Sequence, residues 1–487
     1  MAISFNQIPS GSRVPFMFVE FDTSRSQQGP SVQVFNGLII GQKLAAGTKP
    51  AEQVDLVTSE AQAKEYYGAG SMLAHMVAAW LQDNKVTGLS VIALDDLGGG
   101  VQATGTITAT GTATAAGTLS FMVAGRRYQA GVASGDAPTA IGAAMVAAVV
   151  ADADAQVTAA NAVGVVTFTA NHKGTLGNQI DIRVNPFSDD VLPAGVTAPV
   201  VAMASGAGDP DISDAIAVMG EKQYNAIAQP YTDTSNLIAI ETELADRWGP
   251  IRQNDGVAFT AKKDSFANLV TLGDARNSPH SSIMAVAGPT PSWQWAANTA
   301  GVAARFGSID PARPFQTLPL SSLLPGDDSE QFTFNERDLL LKDGIATHNV
   351  DGGGVVRVER LITTFQENAF ASPDTSLLDV NTLMTLSFLR FDFRSTFQNK
   401  YPRHKLAGDE VRLAPGQAII TPKVAKAEAI SIFRGWEDLG LVENVTQFKR
   451  DILVERNVSD PNRLDFLLPP DLVNQFRVGA AQIAFLL

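Results

Sequence analysis

The sequence has no cysteine among its 487 residues. Disulfide bonds, thiolate nucleophiles and cysteine-ligated metal sites are therefore excluded, and nothing in the composition calls for an oxidising compartment. Positive charge is also scarce, because 36 Lys and Arg residues face 50 Asp and Glu residues, which gives a formal net charge of −14. A nucleic-acid groove needs a concentrated basic surface, so this balance argues against nucleic-acid binding and favours solubility.

Long apolar runs are missing as well. No stretch approaches the roughly 18 uninterrupted apolar residues that a transmembrane helix requires. Residues 1–12 lack the basic segment and following apolar segment of a secretory signal peptide. We therefore expect a soluble protein that is made in the cytoplasm, and its length predicts roughly three folded units.

Motifs for catalysis, cofactors and metals are absent too. The five histidines show no metal-ligand spacing; they are His75, His172, His280, His348 and His404. No phosphate-binding P-loop is present, and no helix opens on GxGxxG. Residues 209–220 resemble a calcium loop, but Asp214 and Gly220 replace its required glycine and glutamate. Ser71 follows two glycines, yet Leu73 stands where a nucleophile elbow needs another. The chain is therefore predicted not to be an enzyme and to hold no cofactor or metal.

Few charged residues occur between Gly98 and Asn185, a stretch rich in Gly, Ala, Thr and Val. Alternating residues predict strands over 105–132 and 163–184, and an alanine-rich segment between them predicts one helix. Helix and strand patterns resume on both sides, so residues 98–185 are interpreted as an inserted β-rich domain that projects from the main body. Its pair of cations, Arg126 and Arg127, fits either a solvated turn or a contact with an acidic partner.

Strands and helices alternate on either side of this insertion. Predicted helices cover 60–66, 70–84, 212–219, 235–248, 266–272 and 292–306, and predicted strands cover 89–94, 225–228, 257–261 and 282–287. Such alternation is typical of a mainly parallel sheet covered by helices. Residues 31–97 and 186–324 are therefore predicted to form one discontinuous α/β domain.

The character changes to α+β over residues 325–470. Residues 379–400 carry apolar side chains near 3.6-residue spacing, which predicts a long amphipathic helix. Thr421 and Pro422 provide an N-cap and a first-turn proline for a second helix, which Gly440 is expected to end. The overall prediction is a multidomain fold, α/β plus α+β, with an extended arm at each terminus.

The N-terminal arm, residues 1–30, contains an alternating apolar run. Val14, Phe16 and Phe18 alternate around Pro15, and a proline within a strand confines that strand to a sheet edge. An apolar edge strand at a chain end needs a partner, because an exposed one promotes aggregation.

The C-terminal arm, residues 471–487, shows a similar pattern. Phe476 and Val478 alternate with small or polar residues, and so do Ile483 and Phe485, but the alternation slips by one residue between the two pairs. Such a slip predicts a strand with a bulge.

Six segments, taken in order along nearly the whole chain, resemble the contractile tail sheath protein of Mu-like bacteriophages. They are ISFNQIPSGSRVPFMFVEFD, YYGAGSMLAHMVAAWLQDN, GTLSFMVAGRRYQAGV with GTLGNQIDIRV, LKDGIATHNVDGGGVVRVERLITTF, LLDVNTLMTLSFLRFDFRSTF and RLDFLLPPDLVNQFRVGAAQIAFLL. The resemblance implies a homo-oligomer of stacked rings that forms a helical sleeve around a tail tube protein. It also implies baseplate and tail terminator partners, and a shortening that drives the tube through the host envelope.

The resemblance further implies that the terminal arms complete the sheets of neighbouring subunits. Val14–Phe21 and Phe476–Leu487 would then be donated strands. It places the protein in the virion tail, assembled in the host cytoplasm, without nucleic-acid or membrane contact by the sheath itself. The middle domain of the family has a subtilisin-like topology, but the chain lacks a subtilase's local signatures around Asp, His or Ser.

Contraction requires two packings of the same subunit, and we expect the bodies to move as rigid units while the arms stay bound. Gly29 and Pro30, or the stretch Leu468–Asp471, are candidate hinges. The C-terminal domain is expected to face the tube and the insertion to face outward. The alternatives are the sheath of a phage-derived bacteriocin-like particle, a non-polymerising capsid- or tail-decorating binding protein, and a hydrolase with an unrecognised site.

Overall fold

The computed structural model describes residues 33–411 and 416–486. The strands are β1 (Asn36–Gln42), β2 (Val54–Leu56), β3 (Gly88–Leu94), β4 (Gln102–Thr108), β5 (Gly117–Val123), β6 (Arg126–Val132), β7 (Val157–Ala162), β8 (Val165–Lys173), β9 (Ile182–Val184), β10 (Val200–Ala204), β11 (Ala226–Ala228), β12 (Val257–Lys262), β13 (Ser281–Ala285), β14 (Ile345–Val350), β15 (Val356–Arg360), β16 (Lys405–Leu406), β17 (Ile419–Ile420), β18 (Val442–Glu443), β19 (Leu453–Arg456), β20 (Leu464–Leu467) and β21 (Asp471–Leu472).

The helices are α1 (Glu60–Tyr67), α2 (Met72–Asp83), α3 (Pro138–Val150), α4 (Ser213–Val218), α5 (Thr234–Trp248), α6 (Phe266–Asp274), α7 (Ser292–Ile309), α8 (Phe334–Lys342), α9 (Val380–Lys400), α10 (Pro422–Asp438) and α11 (Val445–Asp451). Among the described residues, no helix combines the length and the apolar character that crossing a membrane requires.

The largest sheet has eight strands in the order β15-β14-β13-β12-β11-β1-β3-β2. The six strands from β14 to β3 run parallel, whereas the two edge strands, β2 and β15, pair antiparallel with their neighbours. Helices cover both faces, so central-strand residues such as Leu38, Ile39 and Ile40 are fully buried. The prediction of a mainly parallel sheet is confirmed.

Side-chain caps explain where the covering helices begin. Ser71 accepts a hydrogen bond from the amide of Ala74 at the start of α2, and Ser265 accepts one from Asn268 at the start of α6. The glycines before Ser71 therefore precede a helix cap and do not form a nucleophile elbow.

The eight-stranded sheet uses more of the chain than residues 31–97 and 186–324. Strands β14 and β15 lie beyond residue 324, and β14 pairs in parallel with β13. The sequence predicts a change to α+β character from residue 325, but the chain makes a short 3-10 turn over Asp328–Glu330 and returns to the sheet through α8. The glycines after Asp351 form the turn between β14 and β15, where this carboxylate accepts hydrogen bonds from two backbone amides.

The segment between β3 and α4 forms two further sheets, in the orders β10-β4-β8-β7 and β6-β5-β9. Strand β10 pairs with β4, so this pairing extends beyond Asn185. Helix α3 packs on these sheets and buries Ile141 and Met145. Their apolar residues, including Phe121 and Phe168, belong to the same buried cluster as those of the eight-stranded sheet.

The C-terminal residues build a separate cluster around α9, α10 and α11. Phe433 and Phe448 stack with ring centroids 4.0 Å apart, and Trp436 donates a 2.7 Å hydrogen bond to Asp392. Thr421 caps α10 by accepting from Val424, as the sequence predicts, and Gly440 follows the helix with a positive φ of 72°.

Candidate inter-subunit surfaces

Beyond β21, the C-terminal arm pairs with no strand among the described residues. From Val473 to Leu486 it forms neither strand nor helix. The four predicted donor residues, Phe476, Val478, Ile483 and Phe485, are 77–88% exposed. The predicted bulged strand is therefore not formed in the described part of the chain, where residues 474–486 lack a neighbouring strand for main-chain hydrogen bonds. Burying each of these side chains would contribute roughly 1.5–3 kcal/mol.

The base of this arm lies across the body of the same subunit. Gln475 Nε2 donates to the carbonyl oxygen of Ala312 at 3.1 Å, and Gln316 Nε2 donates to that of Phe476 at 3.3 Å. Arg477 Nη1 lies 2.8 Å from Asp379 Oδ1. Three successive residues are therefore held. One signal in the sequence could have indicated this attachment, since Arg477 is the single charged side chain between Asp471 and Leu487.

Asp379 receives two cations at the start of α9. Besides Arg477, it accepts hydrogen bonds from Arg360 Nε and Nη2, each at 3.2 Å. Burial lowers the pKa of Arg477, and the positive charge of Arg360 lowers it further, whereas Asp379 raises it. An arginine pKa lies so far above neutrality that the side chain stays charged. The carboxylate therefore joins the arm, β15 and α9 through charged hydrogen bonds.

An open two-stranded ribbon lies in the C-terminal unit, which comprises α9, α10, α11 and the strands β16 to β21. Strands β19 and β20 pair antiparallel with each other and, among the described residues, with no other strand. One face packs inward, where the Phe466 ring meets those of Phe393 and Phe397 at centroid distances of 5.4 and 5.1 Å. On the other face, the directly paired Leu453 and Leu467 are exposed. Both edges of the ribbon thus offer main-chain groups for strand addition.

The predicted donor strand of the N-terminal arm and the first candidate hinge lie near the start of the chain. Val14, Phe16 and Phe18 lie outside the described residues, as do the candidate hinge residues Gly29 and Pro30.

The candidate hinge at Leu468–Asp471 is held at both ends. Leu468 packs against the C-terminal apolar cluster. Asp471 lies opposite Glu443 in the β18–β21 strand pair, and its side chain accepts a hydrogen bond from Asn444. The two intervening prolines therefore connect fixed points, and a hinge in this stretch would have to break those contacts.

The cations Arg126 and Arg127 are engaged within their own segment. Arg126 binds both oxygens of Asp152 at 2.7 and 2.9 Å, and Arg127 lies 2.5 Å from Asp190. These contacts favour a structural role for the pair over a contact with an acidic partner.

The place where an open α/β sheet usually binds a ligand is filled. The strand order reverses between β1 and β11, and ligands bind beyond the carboxyl ends of the strands at such a point. Here Gln42 Nε2 donates to Asp96 at 2.7 Å and to the carbonyl oxygen of Lys173 at 2.9 Å. His172 Nε2 accepts from the amide of Met72 at 2.7 Å. Residues at the end of β8 therefore occupy this crevice.

The buried histidines are poorly suited to proton transfer at neutral pH. Burial lowers the pKa values of His75, His280 and His348 to about 4. The His348 Nδ1 atom lies 3.0 Å from the carbonyl oxygen of Ala285, and its ring packs on Trp295. His280 and His348 are therefore neutral core residues near pH 7, and His75 is a neutral, half-buried one.

A groove of about 600 Å³ lies beside the first turns of α6 and α8. Its charged groups are engaged in structural contacts: Glu330 binds Arg183 at 2.7 Å, Lys263 binds Asp181 at 2.6 Å, and Glu336 caps α8. Within the described ranges, no group of three or more His, Asp or Glu side chains is placed to hold a metal ion. The Thr333 hydroxyl, which also lines the groove, donates to Glu336 Oε2 at 2.8 Å as part of the capping box of α8.

Comparison with known proteins identifies the chain. Residues 205–364 match the family model of the phage tail sheath protein central domain, and residues 372–485 match that of the phage tail sheath C-terminal domain. The Mu-like prophage FluMu tail sheath protein of Haemophilus influenzae is 42% identical over 488 residues, covering 100% of both chains.

Solved structures similar to this chain include the sheath tail protein of Desulfitobacterium hafniense, with a TM-score of 0.49, 11% identity and coverage of 94% of this chain and 100% of that one. They also include the anti-feeding prophage helical sheath in its contracted state, with a TM-score of 0.47, 10% identity and coverage of 97% and 99%. The full-length relative and the two family models establish that the chain belongs to the phage tail sheath protein family.

Proposed function

We propose that this protein is the repeating subunit of a contractile phage tail sheath, linked to its neighbours by donated strands. It polymerises as a helical sleeve around a tail tube, and the sleeve shortens to drive the tube through the host envelope. The observation that carries the proposal is the C-terminal arm, whose apolar residues are exposed and pair with no strand among the residues that the structure describes. A donated strand makes a heterologous interface, and such an interface generates a helix of subunits when its rotation does not close into a ring.

The β19–β20 ribbon is the proposed acceptor of a neighbour's arm. A two-stranded ribbon is marginally stable alone and gains stability when a third strand is added. Its inner face is already fixed by Phe466 against α9, so an added strand would extend a positioned sheet. The main-chain hydrogen bonds would supply affinity, while Leu453 and Leu467 would contact the arm's apolar side chains.

The bodies are proposed to move as rigid units during contraction. One buried cluster runs through the eight-stranded sheet and the two sheets between β3 and α4. Charged hydrogen bonds tie the same parts together, including Lys64 to Asp154 at 2.7 Å and Arg183 to Glu330 at 2.7 Å. Free energy for contraction would then come from contacts between subunits rather than from refolding within them.

The proposal includes the partners and setting that the resemblance implies. The sleeve would be assembled in the host cytoplasm, would surround a tail tube protein and would end on baseplate and tail terminator proteins. It would perform no catalysis, a view supported by the filled crevice beyond β1 and by the structural contacts of the charged groups in the groove beside α6.

We place the C-terminal unit toward the tube and the segment from Gly98 to about Asp209 on the outside. Residues 379–487 contain 14 basic and 13 acidic side chains, a net charge of +1, so the rest of the chain carries −15. Close approach to another polymer is easier for a nearly neutral surface than for a strongly acidic one.

Limited proteolysis of assembled sleeves tests this orientation. Cleavage is expected first in the exposed loop around Phe187 and Val191, while the C-terminal arm is spared because it is paired. The unassembled subunit, digested in parallel, should also lose its arm. Protection of the loop in sleeves, together with cleavage of the arm, would reverse the orientation.

Electron microscopy of the purified full-length chain tests the proposed function itself. We expect helical tubes with a regular layer spacing, because exposed arms and open ribbons are present on the same subunit. Monodisperse particles or closed rings at every concentration and salt condition would instead support a non-polymerising binding protein.

A further inference from the structure

We infer that Arg477 is an anchor that fixes the point at which the C-terminal arm leaves the body of its own subunit. The inference rests on the proposed function, because it concerns the arm that would be donated. It identifies Arg477 and its acceptor Asp379 as positioning residues for strand donation.

The path of the chain brings the base of the arm back onto the body of its own subunit. After β21 pairs with β18 in the C-terminal unit, residues 473–477 cross back to the loop that follows α7 and to Asp379, the N-cap residue of α9. Along this stretch, half-buried and exposed residues alternate, with Gln475 and Arg477 facing the body and Phe476 and Val478 facing away. The base of the arm is therefore an extended strip that already presents its apolar side outward.

The strength of the attachment is concentrated at Arg477. The other contacts of the strip are neutral amide hydrogen bonds of 3.1 and 3.3 Å, whereas Arg477 makes a 2.8 Å charged contact with Asp379. Its side chain is only 21% exposed, so water screens the pair less than it screens a surface ion pair. Because Asp379 is also held by Arg360, the anchor point belongs to the sheet and to α9 together.

Beyond Arg477, residues 478–486 make no hydrogen bond or ion pair to the rest of the described chain. Ten residues, 478–487, can span at most about 35 Å when fully extended. When loss of the Arg477 contact also releases the two weaker hydrogen bonds of Gln475 and Phe476, the next fixed point is the amide of Val473, which donates to the carbonyl oxygen of Leu441 at 3.2 Å. The free arm would then have fourteen residues and span up to about 50 Å.

A shorter, fixed arm couples the body to the strand it donates. When a body rotates during contraction, a short connecting segment moves the neighbour with it. A longer, flexible segment changes its own conformation instead and leaves the neighbour in place. The anchor therefore determines how closely neighbouring subunits follow one another.

Site-directed spin labelling tests the anchor directly, because the chain has no cysteine of its own. A nitroxide on Asn474→Cys, between Val473 and the anchor, is expected to be immobilised in the unassembled subunit. Arg477→Gln should shorten its rotational correlation time by about threefold, toward that of a loop label, and Arg477→Lys should shorten it less. A label on Ala481→Cys should be mobile in all three backgrounds.

Arg463→Gln serves as a matched control, because it removes an arginine that pairs with Asp465 in the β19–β20 ribbon. It should leave the label at Asn474→Cys unchanged. The anchor is disproved if that label is as mobile as the one at Ala481→Cys before any substitution, or if Arg477→Gln leaves its mobility unchanged.

Electron microscopy of the same variants separates the anchor from the proposed function. Arg477→Gln retains the donor strand, so sleeves are expected to form, but with a wider distribution of layer spacings than wild type or Arg477→Lys. Identical spacing distributions would show that the anchor has no role in the sleeve. Absence of sleeves from the wild-type chain would reject strand-linked polymerisation while the spin-label result still decided whether the anchor exists.

Discussion

Deleting residues 478–487 is expected to yield a folded, soluble subunit that forms no sleeves at any concentration. The deletion removes no buried side chain and no hydrogen bond of the described body, so the free energy of unfolding should change by less than about 0.5 kcal/mol. It does remove Val478, Ile483 and Phe485, which supply much of the apolar surface that a neighbour would bury. Electron microscopy and sedimentation would measure assembly, and thermal unfolding would verify the fold.

Truncation after Arg477 keeps the contacts between the arm and its own body. It leaves the anchored strip from Gln475 to Arg477 in place, so failure to assemble cannot be attributed to disturbance of α9 or Asp379. Normal sleeves from this truncation would show that the C-terminal arm does not link subunits.

Proline substitutions distinguish strand pairing from simple apolar contact. Proline lacks a backbone N–H, so Gln482→Pro with Ala484→Pro removes two potential ladder donors while keeping Ile483 and Phe485. We expect the double proline variant to assemble as poorly as the truncation. The matched control, Gln482→Ser with Ala484→Ser, keeps both amides and should assemble, because polar side chains at exposed alternate positions do not block a strand. Equal assembly by the two variants would mean that the arm binds without main-chain pairing.

Local patterns were sufficient to predict most of the α/β framework. Helix starts carry side-chain caps such as Ser71 and Thr421, and strands buried on both faces read as continuous apolar runs such as that of β1. Residues 379–400 predict α9 because its apolar spacing persists over several turns. These signals lie within a few residues of the structures they specify.

Pairings between distant parts of the chain were not predictable in this way. Strand β10 joins β4, and β14 joins β13, through contacts that leave no mark on local periodicity. The same is true of the attachment of the arm, since Arg477 binds Asp379, and Phe476 accepts from Gln316, which is 160 positions away. A lone arginine in an otherwise uncharged tail was the available clue, and it does not reveal which carboxylate it binds.

A shared core also predicts where the fold is least tolerant of substitution. Gly37 in β1 faces the indole ring of Trp80, and a Cβ atom added there would lie 2.4 Å from Cζ2 and 2.5 Å from Cη2. Trp80 is fully buried and is packed on its other side by Gly301 of α7, so the ring has little room to retreat. Gly37→Ala is therefore expected to lower the free energy of unfolding by about 3 kcal/mol, measured by denaturant unfolding.

Gly131→Ala is the matched control, because a Cβ atom there meets nothing within 4 Å. Its effect should stay below about 0.5 kcal/mol. In a double-mutant cycle, Trp80→Leu should relieve part of the overlap, so Gly37→Ala should cost less in that background than alone. A full 3 kcal/mol loss in both backgrounds would show that the indole ring is not the source of the strain.

Unfolding of Gly37→Ala in one transition or in several would show whether the subunit behaves as one rigid body, and therefore how it transmits contraction. Gly37 lies in the eight-stranded sheet, whereas Phe121 and Phe168 lie in the sheets between β3 and α4, yet both regions share one buried cluster. If that cluster is cooperative, the substitution should destabilise both regions equally, as judged by tryptophan fluorescence and by hydrogen exchange in β5 and β8. Exchange that stays unchanged in β5 and β8 while the sheet around β1 loosens would reveal two independently stable bodies. A sleeve built from such subunits could bend internally during contraction, and rigid-body movement about the arms would no longer account for the stroke.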